Sequence, residues 1–239
     1  MTGQLIQVLR LMSDSERFVV VGDIHGCYRS LEAMLKKLEP FSSSTFIFLG
    51  DYIDRGPDSK SVIDLLLDFQ KHTTSVMLRG NHEQMMIQAL DEKDFSLWMI
   101  NGGRITLESY GLNEYNPDIP EEHYHFIKQT KPYYETDQYF FVHAGLPTDI
   151  TIKQATQNSD YWYDFLWERS HLDRTGTAWE KRVVFGHTPV PLPLSTSEML
   201  GIDTGCVYAH QPGMGYLTAA ILPEEQFIYQ KNLEYTYQN

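Results

Sequence analysis

Residues 45–59 read Thr-Phe-Ile-Phe-Leu-Gly-Asp-Tyr-Ile-Asp-Arg-Gly-Pro-Asp-Ser. The first five are apolar or β-branched and stop at Gly50, after which two aspartates and an arginine fall within five positions. A short continuous apolar run closed by a breaker fits a strand buried on both faces. The stretch that follows, 58–71, carries Val62, Ile63, Leu65, Leu66 and Leu67 among polar residues, the pattern of an amphipathic helix. A buried strand feeding a helix is half of a βαβ unit.

Working outward, runs of the same kind occupy 18–21, 75–78, 139–142 and 182–185, each stopping within two residues at a glycine or histidine. A second amphipathic stretch lies at 30–38. Residues 84–135 change character: they are mostly helical and polar, with Trp98, Gly102-Gly103 and a loop at 113–120, and are expected to form a helical insertion beside the sheet. Residues 190–198, with two prolines and several hydroxyl residues, read as loop. The runs 216–222 and 226–229 read as closing antiparallel strands. The expectation is one α/β domain over 1–239.

Composition narrows the class. The chain is 42% hydrophobic and 21% charged, ordinary for a globular protein. No apolar run approaches the roughly 20 residues needed to span a bilayer, and the first ten residues hold no secretory leader pattern. Two cysteines, Cys27 and Cys206, make no disulfide framework. A cytoplasmic location is therefore expected. Nineteen basic against 32 acidic residues give a net charge of −13, which disfavours non-specific nucleic-acid binding. No nucleic-acid or membrane partner is expected.

Five motifs sit at or just after the strand ends: Gly22-Asp23-Ile24-His25-Gly26, Gly50 to Gly56, Gly80-Asn81-His82-Glu83, His143-Ala144-Gly145 and Gly186-His187. In open α/β sheets, ligands gather outside the carboxyl ends of strands, so the five should converge. Their donors are carboxylate, amide and imidazole with no thiol, a set suited to Mn²⁺, Fe or Zn²⁺. Asp23 and His25 alternate in an extended segment and can chelate one ion. Asp51 can bridge two, with Asn81, His143 and His187 completing the second. Two dications about 3.5–4 Å apart can hold a hydroxide between them and clamp phosphoryl oxygens. His82 follows Asn81 and can face substrate, Asp54 can orient it as a partner carboxylate, and Arg55 offers a bidentate fork for phosphate.

These strings, above all 50–59 followed by 80–83, resemble the phosphoprotein phosphatase family of metallophosphoesterases over about residues 18–206. The resemblance implies a calcineurin-like metallophosphoesterase fold, a central β-sandwich flanked by helices within the α/β (α+β) class. It implies a dinuclear centre often active with Mn²⁺. Asp23, His25 and Asp51 would hold one metal, and Asp51, Asn81, His143 and His187 the other. His82 would be the general acid, Asp54 its partner and Arg55 a phosphate binder. A second phosphate-binding arginine is expected between the last two histidines, where Leu166-Trp167-Glu168-Arg169 resembles that segment and offers Arg169. Trp98, Asn101-Gly102-Gly103, Gly26-Cys27-Tyr28 and Ile202-Asp203-Thr204-Gly205-Cys206 are similar to the compact bacterial branch, which contains serine/threonine phosphatases and diadenosine tetraphosphate hydrolases. The symmetrical hydrolases typically lack the counterpart of Asp54 and carry Asp where this chain has Glu83, so the sequence leans toward a phosphatase acting on phosphorylated protein. The alternatives are a dinucleoside polyphosphate hydrolase and, from another class, a non-catalytic phospho-binding module, which would have lost ligands that are all present here.

Three features are left over. His72, His123, His125, His171 and His210 lie outside the motifs and read as surface or satisfied histidines. Cys27 and Cys206 flank two motif loops and read as buried apolar residues, with a redox pair as the sharper alternative. The aromatic stretch Tyr161-Trp162-Tyr163, with Phe165 and Trp167, offers core packing or a stacking surface.

Overall fold

The structure, a computed structural model, describes residues 17–174 and 176–235. The leader expectation concerns residues outside these.

Each apolar run forms a strand where its breaker predicts. Strands β1 (Phe18–Val21), β2 (Thr45–Phe48) and β3 (Ser75–Met77) lie parallel. Strand β4 is Tyr133–Glu135, β5 Tyr139–Val142, β6 Arg182–Phe185, β7 Leu194–Ser195 and β8 Met199–Gly201; of these β5, β6 and β8 are parallel. Strands β9 (Tyr216–Leu222) and β10 (Gln226–Lys231) form a hairpin whose first strand pairs antiparallel with β1. The orders are β10-β9-β1-β2-β3 and β4-β5-β6-β8-β7, two five-stranded mixed sheets.

Alternation along the strands builds three apolar layers. Val20, Ile47, Val76, Phe141, Val184 and Leu200 meet between the sheets. Val19, Val21, Phe46 and Phe48 point the other way, against helices α1 (Tyr28–Leu38) and α2 (Ser59–Gln70). On the far side of the second sheet, Phe140, Val142, Val183 and Phe185 pack under Ile152, Ala155 and Phe165. The result is the sandwich flanked by helices that the resemblance implied.

Two expectations need correction. Residues 133–135, counted in the helical stretch 84–135, are strand β4, because Tyr133 and Tyr134 find the exposed edge of β5. The loop 190–198 contains β7, a two-residue edge pairing with β8. The remainder of 84–135 is mostly helical, including α3 (Asn81–Glu92) and the helices Arg104–Ser109 and Glu121–Gln129, with a loop at 111–120.

His171 also departs from expectation. His72, His125 and His210 are exposed, and buried His123 is satisfied by Asp64 at 3.1 Å and the Tyr110 hydroxyl at 2.8 Å. His171 is fully buried with neither ring nitrogen hydrogen-bonded among the described residues. Its ring packs edge-on to Phe185 at 4.6 Å and against Gly145, where a Cβ would lie 2.4 Å away. Burial pulls its pKa down to about 4.

A neutral buried imidazole links stability to pH. Between pH 6.5 and about 4 the unfolded chain binds a proton that folded His171 refuses, so stability should fall as pH drops through that window, by up to roughly 3 kcal/mol. Urea unfolding of chelator-treated protein at pH 7.5, 6.5 and 5.5 measures the slope, and His171→Asn should reduce it by the share of one proton.

Candidate metal and phosphate site

All six parallel strands deliver a polar side chain just beyond their carboxyl ends: Asp23 after β1, Asp51 after β2, Asn81 after β3, His143 after β5, His187 after β6 and Asp203 after β8. The turns that aim them are strained. His25, Asp51, Asp54, Arg55 and His187 have φ of 48°, 51°, 70°, 67° and 63°, a region that non-glycine residues seldom occupy. Two glycines are dictated by closeness. A Cβ on Gly80 would stand 2.1 Å from Asp51 Oδ1, and one on Gly186 2.0 Å from Asp23 Oδ1.

Asp51 sits at the centre. Its Oδ2 lies 3.4 Å from His25 Nε2, 3.5 Å from His143 Nε2 and 4.0 Å from His82 Nε2. One donor atom each from His25, Asp51 and His82 falls within 4.8 Å of the others, and so does one each from Asp51, His143 and His187. Asn81 joins the second group, its Oδ1 being 3.0 Å from His143 Nε2 and 3.1 Å from His187 Nδ1. Asp23 lies outside both tight groups; its carboxylate accepts the backbone N–H of His187 at 3.0 Å and so ties the first motif to the last. Arg169 does reach the site, its Nε donating to His187 Nε2 at 3.0 Å. Arg55 Nη1 is 2.8 Å from His25 Nε2, and its guanidinium lies over the Tyr208 ring.

The chemistry of these donors fits divalent cations. His25 Nδ1 is 3.0 Å from the Ile53 carbonyl and His143 Nδ1 is 2.9 Å from that of Leu49. A carbonyl only accepts, so each Nδ1 carries the hydrogen and each Nε2 turns a lone pair toward Asp51. For His143 that lone pair also faces the Asn81 amide oxygen. Burial lowers the pKa of both imidazoles, keeping them neutral. Acceptors facing acceptors in a buried space are reconciled by cations.

His82 is held differently. Its Nδ1 meets Asp54 Oδ2 at 2.6 Å, while Nε2 is buried without a hydrogen-bond partner among the described residues. Burial works against its charged form, yet the Asp51 and Asp54 carboxylates raise its pKa above the ordinary value.

Four contributors were not assigned from the sequence. Glu83, fully buried, accepts the backbone N–H of Asp51 (2.8 Å), Tyr52 (2.8 Å), Ile53 (3.4 Å) and Gly80 (2.9 Å), clamping the second motif to the third. Burial and the neighbouring Asp51 charge push its pKa up to about 8. Asp203 is buried beside Asp23 with its pKa pushed up to about 7 by burial; its place after β8 was the signal that could have found it. Trp98 and Thr106 both donate to Asp54. Cys27 and Cys206 are brought together as buried free thiols, with the Asn232 amide 3.5 and 4.0 Å from their sulfurs. Phe165 is core, whereas Trp162 and Tyr163 are exposed.

Comparison with known proteins agrees with this geometry. The sequence profile described as calcineurin-like phosphoesterase matches residues 16–215. Serine/threonine-protein phosphatase 1 of Salmonella typhimurium is 32% identical over 200 residues, covering 80% of this chain and 88% of that relative. The asymmetrical bis(5'-nucleosyl)-tetraphosphatase PrpE of Oceanobacillus iheyensis is 28% identical over 243 residues, covering 87% and 90%. Among solved structures, a candidate diadenosine tetraphosphatase superposes with a TM-score of 0.65 at 23% identity, over 92% of this chain and 95% of the other. A protein serine/threonine phosphatase from Saccharomyces cerevisiae gives 0.59 at 15% over 94% and 82%; both superpositions show the shared fold.

The Glu83 clamp is testable. Glu83→Gln turns an amide N–H₂ toward backbone donors and should cost about 1–3 kcal/mol of stability. By loosening Asp51 it should also weaken manganese binding about 10–100-fold. Urea unfolding and manganese titration calorimetry check the two effects; unchanged manganese affinity would remove Glu83 from the support of the site.

Proposed function

This chain belongs to the calcineurin-like phosphoesterase family and is a metal-dependent phosphoesterase, and from that premise we propose that it hydrolyses phosphate monoesters of serine and threonine in proteins. Asp23, His25 and Asp51 would hold one divalent ion, and Asp51, Asn81, His143 and His187 a second, with Mn²⁺ the first choice and Fe or Zn²⁺ also suited to the imidazole-rich set. A bound pair of such ions supplies an activated water at neutral pH and neutralises charge on the phosphoryl group.

The chain's own side chains account for the rest. Arg55 and Arg169 would take the non-bridging phosphoryl oxygens, and their contacts to His25 and His187 support that placement. The observation that carries the reading is the His82 ring: Nδ1 tied to Asp54 at 2.6 Å, Nε2 buried without a hydrogen-bond partner among the described residues. A raised imidazole pKa at that position suits donation of a proton to a departing seryl or threonyl oxygen. An alkoxide is a poor leaving group, whereas the phosphate released from an anhydride leaves with little help. A proton donor prepared in this way favours an alkyl ester.

A second reading, a dinucleoside polyphosphate hydrolase, draws support from the relatives of that name and from one surface feature. Leu97, Trp162, Tyr163, Leu166 and Trp167 line a cavity of about 510 Å³. It begins where the Trp167 ring stands 6.1 Å from that of His187, close enough to serve as a stacking surface for a base.

Parallel assays with manganese separate the two. A phosphoserine peptide should give the higher kcat/KM, and a reversal in favour of diadenosine tetraphosphate would move the assignment to the second reading. His82→Asn should lower kcat on the peptide by about 10²–10⁴ with the metal retained, while Asn81→Ala should lose metal and activity together. Metal analysis beside turnover distinguishes these outcomes.

A further inference from the structure

The carboxylate behind His82 is itself held from a distant part of the chain. Asp54 is completely buried, at 0% exposure, so every donor it needs must come from the protein. Oδ2 receives His82 Nδ1 at 2.6 Å; Oδ1 receives the Thr106 hydroxyl at 2.6 Å; the Trp98 indole N–H bridges both oxygens at 3.0 Å each. Thr106 Oγ1 also accepts the backbone N–H of Asp54 at 2.9 Å. Since the threonine proton is committed to Oδ1, Ser59 Oγ, 2.9 Å away, is the donor in that contact. The indole cannot drift, because it is fully buried and a Cβ on Gly103 would lie 2.6 Å from its ring. Among the described residues no other side chain hydrogen-bonds to the His82 ring, which also packs edge-on to His25 at 4.7 Å: its backbone N–H goes to Asp51 Oδ1, and Nε2 has no hydrogen-bond partner.

We propose that Trp98 and Thr106 are positioning residues for protonation of the leaving group, fixing the plane of the Asp54 carboxylate so that His82 presents Nε2 to the departing oxygen. This rests on the reading of His82 as proton donor. A carboxylate stripped of the indole and hydroxyl would be left with an unsatisfied oxygen in a dry site and would rotate toward other donors, carrying the imidazole with it. The metal-holding side chains have other supports: His25 leans on Ile53 O, His143 on Leu49 O and Asp51 on its own backbone clamp by Glu83. Loss of Trp98 or Thr106 should therefore misplace the proton and leave the metals in place. A serine alkoxide is far more basic than p-nitrophenolate, so only the former depends heavily on that proton.

The test uses the manganese-loaded chain on two substrates, a phosphoserine peptide and p-nitrophenyl phosphate. Trp98→Phe removes the N–H and keeps the ring; Thr106→Val removes the hydroxyl at constant shape; Thr106→Ser retains it. For the first two, kcat on the peptide should fall about 10–100-fold further than kcat on the aryl ester. KM should move less than about threefold, with bound manganese unchanged, and Thr106→Ser should restore the parent ratio between substrates. Thr106→Val stands alone if Trp98→Phe does not fold. Equal losses on both substrates, a change carried by KM, or failure of Thr106→Ser to rescue would overturn the proposal. His82→Asn locates the fault. If it lowers both substrates equally, the proton-donor reading is wrong and the positioning role falls with it. If it discriminates while Trp98→Phe and Thr106→Val do not, only the positioning role is wrong.

Discussion

One carboxylate oxygen, Asp51 Oδ2, has the imidazole nitrogens of His25, His143 and His82 within 3.4 to 4.0 Å in a buried space. Two of those nitrogens have their lone pairs turned inward, because backbone carbonyls hold the hydrogens on the opposite side of each ring. Negative charge and lone pairs so confined repel one another unless cations lie among them. The strained turns, the glycines that no side chain could replace and the buried acids around the centre are arrangements that keep these donors together against that repulsion.

The strain is concentrated where this demand is greatest. Of the seven non-glycine residues with positive φ among those described, five belong to the motif loops. Such backbone persists only where its surroundings over-determine it. Glu83 does so for the Asp51 turn through four backbone N–H groups, and the start of α3 adds the His82 N–H on Asp51 Oδ1 at 3.1 Å. The motifs 50–56 and 80–83 therefore act as one unit: Gly80 makes room for Asp51, and Glu83 returns hydrogen bonds to the loop that carries it. Asp54 extends the unit to Trp98 and Thr106, so the helical stretch after α3 is hydrogen-bonded to the site through a carboxylate.

Sheet topology explains why side chains as distant in sequence as Asp23 and His187 meet. The parallel strands of both sheets end on the same side, and the sandwich packs them around the shared layer of Val20, Ile47, Phe141 and Val184. Asp23 accepting the His187 N–H joins the two sheets at the site itself. Residues of the outer apolar layers, such as Phe165 under β5 and β6, carry the Trp167–Arg169 segment to the rim.

The strands and their order of polar endings were legible in the chain because local chemistry writes them. A run such as Phe46-Ile47-Phe48 can only be buried, and the residue that breaks it must stand at the mouth of the sheet. Asp23, His25, Asp51, Asn81, His82, His143 and His187 could thus be named before any coordinates. Trp98 and Thr106 could not be matched to Asp54, nor Glu83 to the Asp51 turn, because those partnerships join segments up to 52 residues apart and leave no local pattern. His171, β4 and β7 escaped for the same reason: an edge pairing or a buried histidine depends on what packs beside it. Sequence alone determined which residue types stand at the strand ends. Tertiary structure decided which of them share a lone pair, a proton or a backbone clamp, since those depend on distances of a few ångströms between parts of the chain that only folding brings together.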